Sequence, residues 1–163
     1  MSDTVYLGNP NLKKANVKVE FTQENIEEFI KCKDNPVYFA KNYIKIVSLD
    51  EGLVNFNLYP FQEKLINNFH HERFNICKMP RQTGKSTTVV SYLLHYAVFN
   101  DNVNIAILAN KASTARDLLG RLQLAYENLP TFLQQGVLNW NKGSLELENG
   151  SKILAAATSS SAI

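Results

Sequence analysis

Three consecutive residues, Gly84, Lys85 and Ser86, are of types suited to a polyphosphate. Such a ligand needs backbone N–H groups converging on anionic oxygens, the positive end of a helix, and a cation between the β and γ phosphates. Gly84 permits close backbone approach, Lys85 supplies an ammonium, and the Ser86 hydroxyl can ligate Mg2+. Their setting matters as much as their types. Residues 74–79 (Phe-Asn-Ile-Cys-Lys-Met) alternate as a strand does, and from Lys85 the residues Val89, Val90, Leu93, Leu94, Ala97 and Val98 cover much of a helix surface. The order expected is therefore strand, loop 80–86, buried helix. The pattern is imperfect, because Met79 stands where GxxxxGK[ST] has its first glycine. A chance Gly-Lys-Ser in a surface loop is the competing reading, and the flanking strand and helix weigh against it.

Other residues extend this chemistry. An Arg81 guanidinium beside a γ-phosphate can stabilise charge developing in phosphoryl transfer; a solvent-facing arginine that only raises the local potential is the alternative. The Gln62 amide can donate to N7 of adenine and accept from N6, or can simply cap a helix after the Tyr59-Pro60 turn. Tyr59 is suited to packing on a base or into the core. Asn110-Lys111-Ala112-Ser113 closes an apolar strand and can face a ligand or cap the next helix. His95, inside an apolar helix, reads as a packed core histidine. Lys31, Lys33, Lys41 and Lys45 read as a solvated face. Residues 46–51 (Ile-Val-Ser-Leu-Asp-Glu) imitate a metal-holding acidic strand but precede the loop and run into Gly52, so they are read as a turn.

The elements that must position these groups are legible as a strand–helix alternation. Thr22 offers an N-cap to a helix over about 23–33, Pro36 opens a second helix through Tyr43, and a third carries Leu65, Ile66 and Phe69 at helical spacing. After the loop and its helix come a strand at 104–109, a helix at 112–128 stopped by Pro130, and two strands flanking Asn149-Gly150, a hairpin signal in which both turn residues need positive φ. Residues 1–21 show no sustained periodicity. This gives an α/β fold with a parallel or mixed sheet, divided as an irregular arm (1–21), a small helical lead-in (22–55) and a partial ATPase-type domain (56–163).

Composition bounds the classes available. The 163 residues are 45% hydrophobic and 20% charged, which supports one ordinary core. Seventeen Lys and Arg against 15 Asp and Glu give a net charge of +2, too little to mark a nucleic-acid binder by charge alone. The longest apolar run, 89–99, is broken by Ser91 and His95 and falls short of the roughly 20 residues that cross a bilayer. Cys32 and Cys77 make neither a disulfide framework nor a zinc pattern, so a reducing interior is the default. A serine run at 159–161 is the one low-complexity stretch.

Residues 81–86 (Arg-Gln-Thr-Gly-Lys-Ser) resemble the deviant Walker A of phage large terminases, in which arginine and glutamine precede GK[ST] and the first glycine is often lost. Tyr59-Pro60-Phe61-Gln62 resembles an adenine-recognition segment, 129–134 resembles the linker, and 140–151 the hairpin segment, of the T-even-like subgroup. The resemblance spans roughly residues 22–160. It implies a P-loop NTPase of RecA/ASCE type, with ATP held by Gln62, Arg81, Gln82, Thr83, Gly84, Lys85, Ser86 and Thr87, and Mg2+ on Ser86. Arg81 and Lys85 would act in catalysis, Arg81 as sensor or finger. It implies ATP-driven packaging of double-stranded DNA, with portal, prohead and small terminase subunit as partners. A homo-oligomeric ring is implied for the full-length protein, in host cytoplasm and transiently at the portal. The acidic Walker B strand and the nuclease domain of that family are expected beyond Ile163, so this chain is expected to hold Mg·ATP weakly without hydrolysing it efficiently. A fragment of a helicase-like translocating ATPase and a non-catalytic split-gene piece are the alternatives.

Overall fold

Local chemistry sets the helix boundaries. In the computed structural model, which describes residues 4–48 and 50–158, α1 (Gln23–Asp34) starts at Thr22, whose hydroxyl accepts the Asn25 N–H at 3.2 Å. Asn35 caps α2 (Pro36–Tyr43) through the Tyr38 N–H at 2.9 Å, with Pro36 at the first helical position. Then follow α3 (Pro60–His71), α4 (Lys85–Phe99) and α5 (Ala112–Glu127). The strands are β1 (Val5–Tyr6), β2 (Asn9–Lys13), β3 (Lys45–Ser48), β4 (Gly52–Asn55), β5 (Asn104–Ala109), β6 (Val137–Trp140), β7 (Ser144–Leu147) and β8 (Lys152–Ala157). The serine run 159–161 lies outside the described residues.

The main sheet is mixed, in the order β5-β8-β7-β6, with β5 and β8 parallel and the other pairs antiparallel. Helix α5 crosses over β5 and β8 and packs against α4, which in turn meets α2 and α3. One apolar core joins them, with Phe39, Ile66, Leu94, Leu119, Leu122 and Ile153 among its buried members. His95 is buried in it, as its apolar helix predicts, against Phe39 and Phe99. The Cys32 carbonyl lies 2.9 Å from Nε2 and can only accept, so Nε2 carries the proton of the neutral ring. Burial depresses the His95 pKa to about 4.

Three expectations need correction. Residues 74–79 form no strand; they run without a ladder partner, and Ile76 is 100% exposed and Phe74 83% exposed. Alternation reports which face would be buried, but a strand exists only when another backbone supplies the hydrogen bonds. Residues 5–14 are not irregular: β1 and β2 pair antiparallel, and Lys14 bridges Val137 beside β6. Residues 45–48 belong to the β3–β4 hairpin rather than to a turn, while Asp50 and Glu51 do lie in a turn.

The 144–154 hairpin is present, but only Gly150 has positive φ, at 81°. Asn149 instead turns its amide to the end of α4, donating to the Ala97 and Asn100 carbonyls at 2.9 and 3.1 Å. An added Cβ on Gly150 would lie 2.2 Å from Asn102 Oδ1, a second reason for glycine there.

Candidate functional site

The loop between α3 and α4 is built on backbone that ordinary residues avoid. Gly84 is left-handed at φ 72° and is the N-cap of α4, and Gln82 is also left-handed at φ 61°. The Lys85 ammonium curls back into the loop, donating to the Pro80 carbonyl at 2.8 Å and the Met79 carbonyl at 3.2 Å. Thr83 Oγ1 donates to the same Pro80 carbonyl at 3.1 Å, and Thr88 Oγ1 to the Gly84 carbonyl at 3.0 Å. Side chains thus turn the loop's carbonyls inward. In a trans peptide the N–H points opposite to the C=O, so the Arg81 amide, which follows the Pro80 carbonyl, faces away from these donors, whereas Pro80, which follows the Met79 carbonyl, has no N–H.

The electrostatics favour an anion. From Arg73 to Asn100 the sequence contains no Asp or Glu, while Arg73, Lys78, Arg81 and Lys85 all lie in its first half. This carboxylate-free stretch was readable in the sequence and is a stronger signal than the net charge. Arg81, Gln82 and Ser86 are exposed; Thr83, Gly84 and Lys85 are half-buried. Among the described residues no cluster of three or more His, Cys, Asp or Glu can hold a metal.

Two clefts flank the start of α4. One, about 230 Å³, is lined by Lys85, Ser86, Val89, Val90, Leu93, Ile107 and Leu118, and so borders β5, which among the described residues pairs only with β8. The other, about 260 Å³, takes Thr87 and Val90 together with Ile44, Ile46 and Arg121. The structure therefore brings Arg81, Gln82, Thr83, Gly84, Lys85 and Ser86 together in one loop but turns Thr87 into a different cleft.

These features sit inside a recognisable family segment. Residues 76–162, more than half of the chain, match the family described as terminase large subunit, T4likevirus-type, N-terminal. The chain belongs to this family. Membership supports a role in phage DNA packaging, and the terminase segment includes the whole 80–86 loop, α4, the α5 crossover and the four-stranded sheet. No described helix is long and apolar enough to cross a membrane.

Gln62 and its neighbours precede the matched terminase segment. Gln62 is only 3% exposed; its Oε1 accepts the Tyr59 N–H at 2.9 Å, and its Nε2 donates to the Thr83 carbonyl at 3.2 Å. Tyr59 is exposed and stacks on Phe61, with ring centroids 5.7 Å apart and planes 7° apart. Phe61, also in the 59–62 segment, is the second ring of this exposed pair. Asn110-Lys111 sits at the C-terminal end of β5, where Lys111 is the N-cap of α5 without a side-chain cap bond. Capping by Asn110 or Ser113 is not what fixes that helix. Lys31, Lys33, Lys41 and Lys45 are exposed, as a solvated face should be.

Proposed function

We propose that the 80–86 loop seats the phosphates of Mg·ATP, and that the chain is the nucleotide-holding portion of a packaging motor that moves double-stranded DNA into proheads. The observation that carries the reading is the Lys85 ammonium, held on the Met79 and Pro80 carbonyls at the N-terminus of α4. An ammonium satisfied only by neutral carbonyls gains when an anionic oxygen replaces them. Gly84 gives the backbone its approach, Gln82 and Thr83 shape the loop, and Arg81 stands exposed at its rim to meet charge on the terminal phosphate. Thr87 is the weakest member of the set. The Ser86 hydroxyl, with no carboxylate in the loop, would hold magnesium together with nucleotide oxygens, where the metal would supply charge neutralisation. The exposed Tyr59–Phe61 pair offers the base an apolar face.

Hydrolysis needs a group that orients water, and none of the loop residues is a carboxylate. The reading places that group on a strand entering along the free edge of β5, over the cleft that ends at Lys85 and Ser86. Portal, prohead, small subunit and a ring of copies are partners of the whole motor in this reading. Calorimetric titration with Mg·ATP tests it. Binding by the chain, weakened at least about tenfold by Lys85→Ala, is the expected result. No binding, or equal binding by the variant, overturns it. Rapid turnover by this chain that depends on Lys85 would overturn the placing of the water-orienting group.

A further inference from the structure

We propose that Thr83 is a positioning residue of the phosphate loop, whose hydroxyl closes the 80–83 turn and so leaves the Thr83 N–H for an anionic oxygen; the proposal rests on the phosphate reading of the loop. A four-residue turn is ordinarily closed by its fourth N–H, which donates to the first carbonyl. Here Thr83 Oγ1 does that work, donating to the Pro80 carbonyl at 3.1 Å, and the Thr83 N–H donates to no atom among the described residues. The N–H groups of Arg81, Gln82 and Gly84 are likewise without an acceptor there. Short hydroxyl side chains compete with the backbone for nearby carbonyls in this way. Threonine suits the task, because branching at Cβ restricts its χ1 and presets the hydroxyl.

The sharing of one carbonyl gives the hydroxyl a purpose. Pro80 O has two lone pairs, and Lys85 Nζ uses the second at 2.8 Å. Between the two donors Gln82 is held left-handed at φ 61°, as the third residue of a type II turn must be. When the ammonium goes to a ligand, its bonds to the Met79 and Pro80 carbonyls break. The Thr83 hydroxyl need not move, so the Pro80 carbonyl stays satisfied and the turn stays closed. Without that hydroxyl, the residue-83 amide is the donor nearest to hand for the carbonyl, and an amide spent there cannot meet a phosphate.

The test compares the chain with Thr83→Val, which keeps the shape and removes the hydroxyl, and with Thr83→Ser, which keeps the hydroxyl. Affinities for Mg·ATP and inorganic tripolyphosphate are measured by calorimetry, and amide exchange of residues 81–84 is followed without ligand. Thr83→Val is expected to weaken both ligands by one common factor, about two- to tenfold, the range of a single net hydrogen bond. Thr83→Ser stays within about twofold of the parent. In Thr83→Val the residue-83 amide exchanges more slowly, having taken the Pro80 carbonyl, whereas in Thr83→Ser it exchanges as in the parent. Unchanged or faster exchange in Thr83→Val overturns the proposal and makes the hydroxyl a stiffener of the loop at most. Unchanged affinities in Thr83→Val, or a Thr83→Ser variant as weak as Thr83→Val, also overturn it. If the unmodified chain binds neither ligand, the phosphate reading fails, and the exchange experiment alone still decides whether the hydroxyl spares the amide.

Discussion

On the β6 side of the sheet, Gln134 and Glu148 tie the N-terminal residues 11–16, more than a hundred positions away, to the segments beside them. Gln134 accepts the Lys13 N–H at 3.0 Å and donates to the Asn11 and Leu129 carbonyls at 2.9 Å each. Glu148 accepts the Gly136 and Asn16 N–H groups at 2.6 and 2.9 Å and meets Lys13 Nζ at 3.1 Å. On the β5 side there is no such closure: Leu108 is exposed on the edge strand, and 74–79 runs unpaired into the loop. The difference teaches where the chain keeps backbone available. Bound carbonyls and amides fix a fold, whereas unpaired ones are free for a ligand or a further strand, and the candidate site lies on the open side.

The contrast can be broken by substitution. Ile153→Ala, at the buried centre of β8, is expected to cost about 3 kcal/mol in urea unfolding, within the usual range for truncating a core aliphatic. A loss under about 1 kcal/mol would show the closed side to be loosely packed.

His95 gives the next effect. Its folded pKa, about 4, lies below the ordinary 6.5, so its contribution is complete above 6.5 and is lost as pH falls toward 4. The groups around it are Cys32 at Nε2 and the rings of His70 and Tyr92, each centred 6.2 Å away. Stability is expected to be about 2 kcal/mol lower at pH 5 than at pH 7.5, and His95→Gln to flatten that slope. A variant curve as steep as the parent's would assign the slope to other groups.

Glu148→Gln sharpens the comparison at about 1 kcal/mol, because the carboxylate is partly solvated. Burial alone would raise its pKa, but the Asn16 and Gly136 N–H groups and Lys13 outweigh burial and hold it below the usual value of 4.5. Its contribution is therefore complete above 4.5 and lost as pH falls below that, so the gap between parent and variant should narrow toward pH 3. Ile76→Ser, on the open side, should change stability by less than about 0.5 kcal/mol. A larger loss would mean that 74–79 is packed in solution.

The legible parts of this fold are those set within a few residues. Thr22, Asn35 and Pro36 fix two helix starts, and the apolar run 104–109 is a strand because its two ends are punctuated and its interior suits a sheet. The β1–β2 hairpin was not legible, since its docking depends on Gln134 and Glu148, over a hundred residues away. Residues 74–79 show the reverse failure: a good local pattern without a partner. At the site, Gly84, Lys85 and Ser86 could be read from type and spacing. The contact of Gln62 with the loop could not, because an amide that suits adenine suits a carbonyl equally well, and only the fold shows its Nε2 on the Thr83 carbonyl.

The central claim is that the 80–86 loop is a phosphate seat, and amide exchange with and without Mg·ATP tests it most directly. Protection confined to residues 82–88, absent in Lys85→Ala, is the predicted result. Protection elsewhere, or none at saturating nucleotide, would contradict it.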